Sequence, residues 1–496
     1  MWLFKQKPRK KIPTWKLSDS LLSFSRSDAF SLADACEGVL VVGATGSGKS
    51  TGSGKALAHA YLSAGFGGLV LTAKNDERAV WESYCKQTGR LKDLHVFSPD
   101  GPYRYNFLDH ELQRGGVGAG LTDNIVHIFA QVLQIAERGS GSGGGREDEG
   151  YWRRASNQLL RNTIDLLIMA KNRITLSDIY RIIVSAPRSK EQELLEGWRQ
   201  SSFCFRCLEE ADMRPKSSHQ AHDFGLVCDY FCLEFPGLSE RTRSVICSTM
   251  TSMIDVLHRG ITAELFCSET NLTPEATENG AIILIDLPIK EFSQVGQFAQ
   301  VLWKTAFQRS IERRNLKENR RPVFLWADEC QYFVTSPFDM QFQTTCRAAR
   351  VATVLLTQNI SNMYAALGGS STGRVEADSL FGNLNTKIFH ANSDPVTNQW
   401  ASELIGKCRM FLTNSSTTEI PNEQTWLGSA TGSDEPATTT TGISEHIDYE
   451  VQPRTFTSLR KGGAANHWMV DAIVFQGGKT LCSSGKTWAP VTFNQR

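Results

Sequence analysis

"VLVVGATGSGKSTGSGKALAHA", residues 39–60, spells GSGK twice, at 46–49 and again at 52–55. A loop that wraps phosphates in backbone N–H groups needs one such turn, set between a strand and a helix in the pattern G-x-x-x-x-G-K-[ST]. Gly43 to Ser50 meets that pattern in full. Val39, Leu40, Val41 and Val42 ahead of it form the short apolar run of a buried parallel strand. Ala56, Leu57, Ala58, Ala60, Tyr61 and Leu62 behind it read as a helix. The second copy has no strand before it, and Ala56 stands where a metal-binding hydroxyl would be. It falls in the first turns of the helix, where each glycine costs roughly 1 kcal/mol relative to alanine. Its small residues are expected to let that helix pack closely on a neighbour. The first copy is therefore the phosphate loop. Gly43, Ala44, Thr45, Gly46, Ser47, Gly48, Lys49, Ser50 and Thr51 are expected to cradle ATP, with Lys49 reaching the outer phosphates and the Ser50 hydroxyl ligating Mg²⁺.

At 496 residues the chain is too long for one compact core, so two or three domains are expected. A formal charge of +1 exerts no global pull on nucleic acid, and any basic binding surface has to be local. No apolar run of about 18 residues exists, so no transmembrane helix is expected. The opening "MWLFKQKPRKKIP" is basic without a long apolar stretch, and reads as a solvated tail rather than a signal peptide. Twelve cysteines without a framework pattern suit a reducing cytoplasm, extending at most to a peripheral position at the inner face of the membrane. Cys204 and Cys207 form C-x-x-C, Cys228 and Cys232 follow, and His219 and His222 lie between; zinc would use four of these. The second pair, however, sits at C-x-x-x-C inside the helical "GLVCDYFCLEF", so buried thiols are the expectation.

Beyond the first helix the chain alternates strand and helix ("GFGGLVLTAKNDERAVW", "LHVFSPDG"), as a parallel α/β sheet does. Helical periodicity then dominates, broken by "RGSGSGGGREDEG" (138–150), a flexible loop by composition. Strands resume at "AIILIDLP" and continue through "RPVFLWADECQYF", "CRAARVATVLLTQN", "NTKIFHANSD" and "ANHWMVDAIVF". Residues about 411–450 are rich in Thr, Ser and Gly and read as an insertion or mobile loop. The expected fold is α/β, a mostly parallel P-loop sheet interrupted by an all-helical inserted domain. Its parts are a basic segment (1–37), the first part of the P-loop domain (38–110), the helical insertion (111–275), the second part (276–410), a Thr/Ser/Gly-rich insertion (411–464) and final strands (465–496).

Ligands of open parallel sheets bind beyond the carboxyl ends of the strands. There the sequence puts Lys49 and Ser50 after one strand, Asp328 and Glu329 after another, and Gln358 after a third. Asp328 is expected to hold Mg²⁺ through water, Glu329 to polarise the attacking water, and Gln358 to sense the γ-phosphate. A kinase or GTPase switch would not require the carboxylate next to Asp328, whereas an ATP-hydrolysing motor would. Arg347 and Arg350 are read on the helix before the Gln358 strand, where a guanidinium could face a neighbouring subunit's nucleotide.

"GATGSGKS", "WADE" and "RAARVATVLLTQ" resemble the FtsK/HerA-type ring motors. Within these, "YNFLD", "YW…ASNQLL…I" and "FPGLSERTRS" look like the TraD/TraG-type coupling proteins of conjugation and type IV secretion. The resemblance spans about 35–410 and implies a RecA-like ATPase domain, an all-helical domain and a hexameric ring that moves DNA or substrate protein. It assigns phosphates and Mg²⁺ to Lys49 and Ser50, the second acidic motif to Asp328 and Glu329, the sensor to Gln358 and an arginine finger to Arg347. It implies DNA, further copies of the chain, and relaxosome or secretion-channel proteins as partners. Arg153, Arg154 and Arg161 in the helical insertion are the expected DNA phosphate contacts. The family's N-terminal transmembrane pair and a long acidic C-terminal tail are not seen, so no membrane anchor is expected. The alternatives are a protein-substrate or defence-type ring ATPase, and a nucleotide-gated recruitment scaffold with little turnover.

Overall fold

A computed structural model describes residues 15–139, 146–336, 338–418 and 438–496. Its strands are β1 (Ser20–Ser23), β2 (Ala29–Ser31), β3 (Val39–Val42), β4 (Gly67–Leu71), β5 (Leu94–Phe97), β6 (Ile282–Ile285), β7 (Val323–Ala327), β8 (Val351–Thr357), β9 (Thr386–Phe389), β10 (Lys407–Thr418), β11 (Thr438–Tyr449), β12 (Met469–Gln476) and β13 (Trp488–Asn494). Nine of them form one sheet in the order β13-β12-β9-β3-β8-β7-β4-β6-β5. The seven strands from β9 to β5 are parallel, and β12 and β13 extend the sheet antiparallel. The mostly parallel α/β sheet is thus the expected one.

Every residue of β3, β4, β6, β7, β8 and β9 is buried, because helices cover both faces. That is why these strands read as continuous apolar runs instead of alternating ones. One face packs on the helices Lys55–Ser63 and Glu77–Gln87 through Leu57, Tyr61, Trp81 and Phe324. The other packs on Ile289–Arg313, whose Phe298, Leu302 and Trp303 lie in the same core as the helical segment. That segment enters after β5 and returns before β6, with long helices at Thr122–Gly139, Arg146–Lys171 and Glu240–His258. Cys204 and Cys207 are fully buried on the helix Phe203–Met213. Among the described residues no group of three or more His, Cys, Asp or Glu could hold a metal ion, and no helix is long and apolar enough to cross a membrane.

Two local expectations are corrected. The Thr/Ser/Gly-rich stretch is not simply a loop: β10 and β11 pair antiparallel over twelve residues each, Lys407↔Tyr449 to Thr418↔Thr438. Threonine is β-branched and favours strands, which low-complexity composition conceals. Residues 419–437 between them, like the tail 1–14 and residues 140–145 inside the glycine run, lie outside the described residues; helices reach Gly139 and resume at Arg146. Arg347 and Arg350 do not lie on a helix either. The helix Phe338–Thr345 ends before them, and Arg350 is left-handed, with φ 54°.

Candidate nucleotide site

Register brings the site together. Val42 pairs with Thr357, Ala327 with Leu355, and Leu71 with Ala327, so β3, β8, β7 and β4 end nearly level. The segments that leave them therefore meet at one edge of the sheet. Gly46 and Gly48 are left-handed (φ 72° and 87°), and a Cβ on Gly48 would stand 2.6 Å from Val470. The loop is thus a concave backbone cradle that side chains would fill, and it suits phosphate.

Ser50 Oγ donates to Asp328 Oδ2 at 2.9 Å, which joins the hydroxyl and carboxylate expected at the metal. Two hard oxygen donors converging beside the phosphate cradle form a donor set that fits Mg²⁺. Glu329 follows in the left-handed region (φ 53°, ψ 49°), a conformation that costs roughly 1–3 kcal/mol and that surrounding contacts must hold. Those contacts are present: Gln358 Nε2 donates to Glu329 Oε1 at 3.1 Å and Gln331 Nε2 to Oε2 at 3.0 Å. Lys49 Nζ stands 3.6 Å from Oε1. Burial would raise the Glu329 carboxyl, but the Gln331 amide, the Lys49 ammonium, the Gln358 amide and Lys74 outweigh it and bring it down to about 2. Gln358 also accepts from Thr45 Oγ1 at 3.2 Å, so one amide spans the phosphate loop and the second acid.

One residue in this constellation was missed. Lys74, three residues beyond Leu71 at the end of β4, lies 3.0 Å from Glu329 Oε1 and 3.7 Å from Asp328 Oδ2. The sequence marks it only as the first cation after the glycine-bounded strand "GGLVL". Arg347, in contrast, is not brought here. It precedes β8 whereas Gln358 follows it, so the length of a seven-residue strand, roughly 23 Å, separates them. It is 68% exposed and ion-paired to Glu37 at 3.2 Å. Arg350 donates to the Trp15 and Arg320 carbonyls and is structural. In the helical segment Arg161 pairs with Asp123, Arg154 is exposed, and the Arg153 side chain lies outside the described residues.

Gly52, Ser53 and Gly54 of the second GSGK are buried, and Lys55 is half-buried. Ser50–Gly54 is a π-turn, in which the Gly54 N–H reaches the Lys49 carbonyl at 2.8 Å. Gly52 packs on Val470 and Phe493, Ser53 Oγ meets the buried His390 Nε2 at 2.7 Å, and Lys55 Nζ donates to the Gln495 carbonyl at 3.0 Å. This copy fastens the phosphate loop to β12 and β13.

Residues 322–441 match the family model described as the TraM recognition site of TraD and TraG. Among solved structures, the unbound bacterial conjugative coupling protein TrwBΔN70 aligns with a TM-score of 0.60 at 15% identity, covering 98% of this chain and 90% of that one. Its fold is that of a conjugative coupling protein. TrwB in complex with ADP and Mg²⁺ aligns with a TM-score of 0.59 at 14% identity, over 98% of this chain and 91% of that one. TrwB with the GTP analogue GDPNP gives 0.59 at 15%, with the same coverages. Comparison with curated proteins finds no match. The coupling-protein fold accounts for both the large sheet and the helical segment inserted between β5 and β6.

Proposed function

We propose that this chain is an ATP-hydrolysing motor of the conjugative coupling type, which assembles into a hexameric ring and translocates DNA. The observation that carries the reading is the 2.9 Å contact of Ser50 with Asp328 beside Glu329. A nucleotide-gated scaffold has no need of that second carboxylate. Lys49 and the loop N–H groups bind and orient the phosphates. Ser50 and Asp328 are the residues that would hold Mg²⁺, which supplies charge compensation for the phosphates. Glu329, ionised at neutral pH, accepts a hydrogen bond from the attacking water and orients it toward the γ-phosphate. Gln358 couples that carboxylate to Thr45 and so to the phosphate loop. Arg347, exposed at the opposite end of β8, can serve only a nucleotide held by another copy of the chain, which is the support for a ring.

The segment 322–441, which matches the TraM recognition model, supports a relaxosome protein as the recruiting partner. Phosphate release is measured with and without single- and double-stranded DNA. Turnover that DNA stimulates is expected. Turnover indifferent to DNA favours a protein substrate, and no turnover at all overturns the motor.

A further inference from the structure

Lys74 is not accounted for by the functional reading, and three observations show that its position is built. Gln300, fully buried, donates to the Thr72, Ile285 and Leu287 carbonyls and accepts from the Thr72 N–H at 3.2 Å. This clamps the chain two residues before Lys74. Glu77 accepts from the Ala73 N–H at 3.0 Å, closing the loop from the other side. Its second oxygen is buried without a hydrogen-bond partner and belongs to the same cavity wall as Ser50, Lys74 and Asp328. The Lys74 ammonium then projects between the two acids. The Asp328 oxygen it approaches at 3.7 Å is the one that receives the Ser50 hydroxyl.

We propose that Lys74 is an internal competitor of the divalent cation, and that it makes metal binding contingent on nucleotide. The inference rests on the reading of Ser50 and Asp328 as the metal site. A cation held by that pair would stand a few ångströms from an ammonium, and two like charges at such a distance repel strongly even with protein screening. Without ligand the two ammonium groups already compensate the two strand-end acids: Lys49 and Lys74 stand against Asp328 and Glu329. A divalent cation alone adds two positive charges where both acids are already paired. Nucleotide phosphates reverse the sign, draw the ammonium groups toward themselves and release Asp328. Metal and nucleotide then bind cooperatively, each raising the other's affinity by the same factor. A site with this wiring ignores free Mg²⁺ and responds to the nucleotide.

The test uses Mn²⁺ as the probe, with its binding to the full chain followed by electron paramagnetic resonance in the absence of nucleotide. Lys74→Met, which keeps the stem and removes the charge, should bind Mn²⁺ at least about tenfold more tightly than the parent. Lys74→Arg should behave as the parent. The coupling between Mn²⁺ and a fluorescent ATP analogue should shrink in Lys74→Met by the same factor. Equal Mn²⁺ affinity in all three chains, or weaker binding in Lys74→Met, overturns the proposal. The double variant Lys74→Met/Asp328→Asn separates the two levels of the argument. Loss of the gained affinity keeps the metal site where it is read, whereas gained affinity that survives the loss of Asp328 places the metal elsewhere and overturns that reading too. Circular dichroism confirms that each variant is folded.

Discussion

The two glycines of the second GSGK respond oppositely to the same small perturbation, a single added methyl. A Cβ on Gly52 would stand 3.4 Å from Val470 and 3.5 Å from Phe493, ordinary contact distances. Gly52→Ala therefore fits, and the lower backbone entropy of the unfolded chain should stabilise the protein by roughly 0.5–1 kcal/mol. A Cβ on Gly54 would stand 2.9 Å from the Lys49 carbonyl oxygen, which already accepts from the Gly54 N–H at 2.8 Å. That oxygen has to retreat, and overpacking of this kind costs roughly 1–3 kcal/mol. Set against the same entropy gain, Gly54→Ala should be neutral to destabilising by about 2 kcal/mol. The two variants should thus differ by about 1–3 kcal/mol in urea unfolding followed by tryptophan fluorescence. Because the displaced carbonyl belongs to Lys49, Gly54→Ala should also weaken a fluorescent ATP analogue several-fold, while Gly52→Ala leaves it unchanged. Equal stabilities, or an affinity loss in Gly52→Ala alone, would refute the argument that this turn presses on the phosphate loop.

Lys49→Ala should abolish binding of the ATP analogue, whereas Lys55→Ala loses only its bond to the Gln495 carbonyl, about 1 kcal/mol of stability, and keeps binding. Glu329→Gln should retain nucleotide but slow phosphate release by about 10²–10⁴-fold, and release at the parental rate would remove Glu329 from the chemistry. Burial holds the His390 imidazole down at about 4, below its ordinary 6.5, so the folded chain favours the neutral ring. Its contribution is complete above pH 6.5 and is lost as pH falls toward 4, about 3 kcal/mol in all; a His390→Leu chain should lack that slope in urea midpoints measured across the window. Arg347→Ala should lower turnover with little change in nucleotide affinity, and mixing it with Glu329→Gln chains should restore part of the activity. No rescue on mixing would mean that each chain works alone.

Much of the site was legible because it is written in local patterns. The phosphate loop is a contiguous motif whose glycines, lysine and hydroxyl all act within eight residues. Asp328-Glu329 and Gln358 were legible because each follows an unbroken apolar run, and strands buried on both faces leave that run in the sequence. The strand–helix alternation likewise announced a parallel sheet, and the long helical stretch its insertion. Tertiary structure decided what depends on register and on distant partners. Lys74 joins the site only because β4 lies beside β7, a neighbour relation that no spacing along the chain encodes. The second GSGK found its purpose more than three hundred residues away, where its glycines, serine and lysine meet Val470 and Phe493 of β12 and β13, His390 just after β9 and Gln495 just after β13. For Arg347 only the local structure differs from expectation, a turn in place of a helix. Its distance from Gln358 in sequence is short, but a fully extended strand lies between them and carries the guanidinium to the opposite edge of the sheet. A residue's own neighbours fix whether it is strand or turn; which side chains share a charge is settled only when the strands come into register.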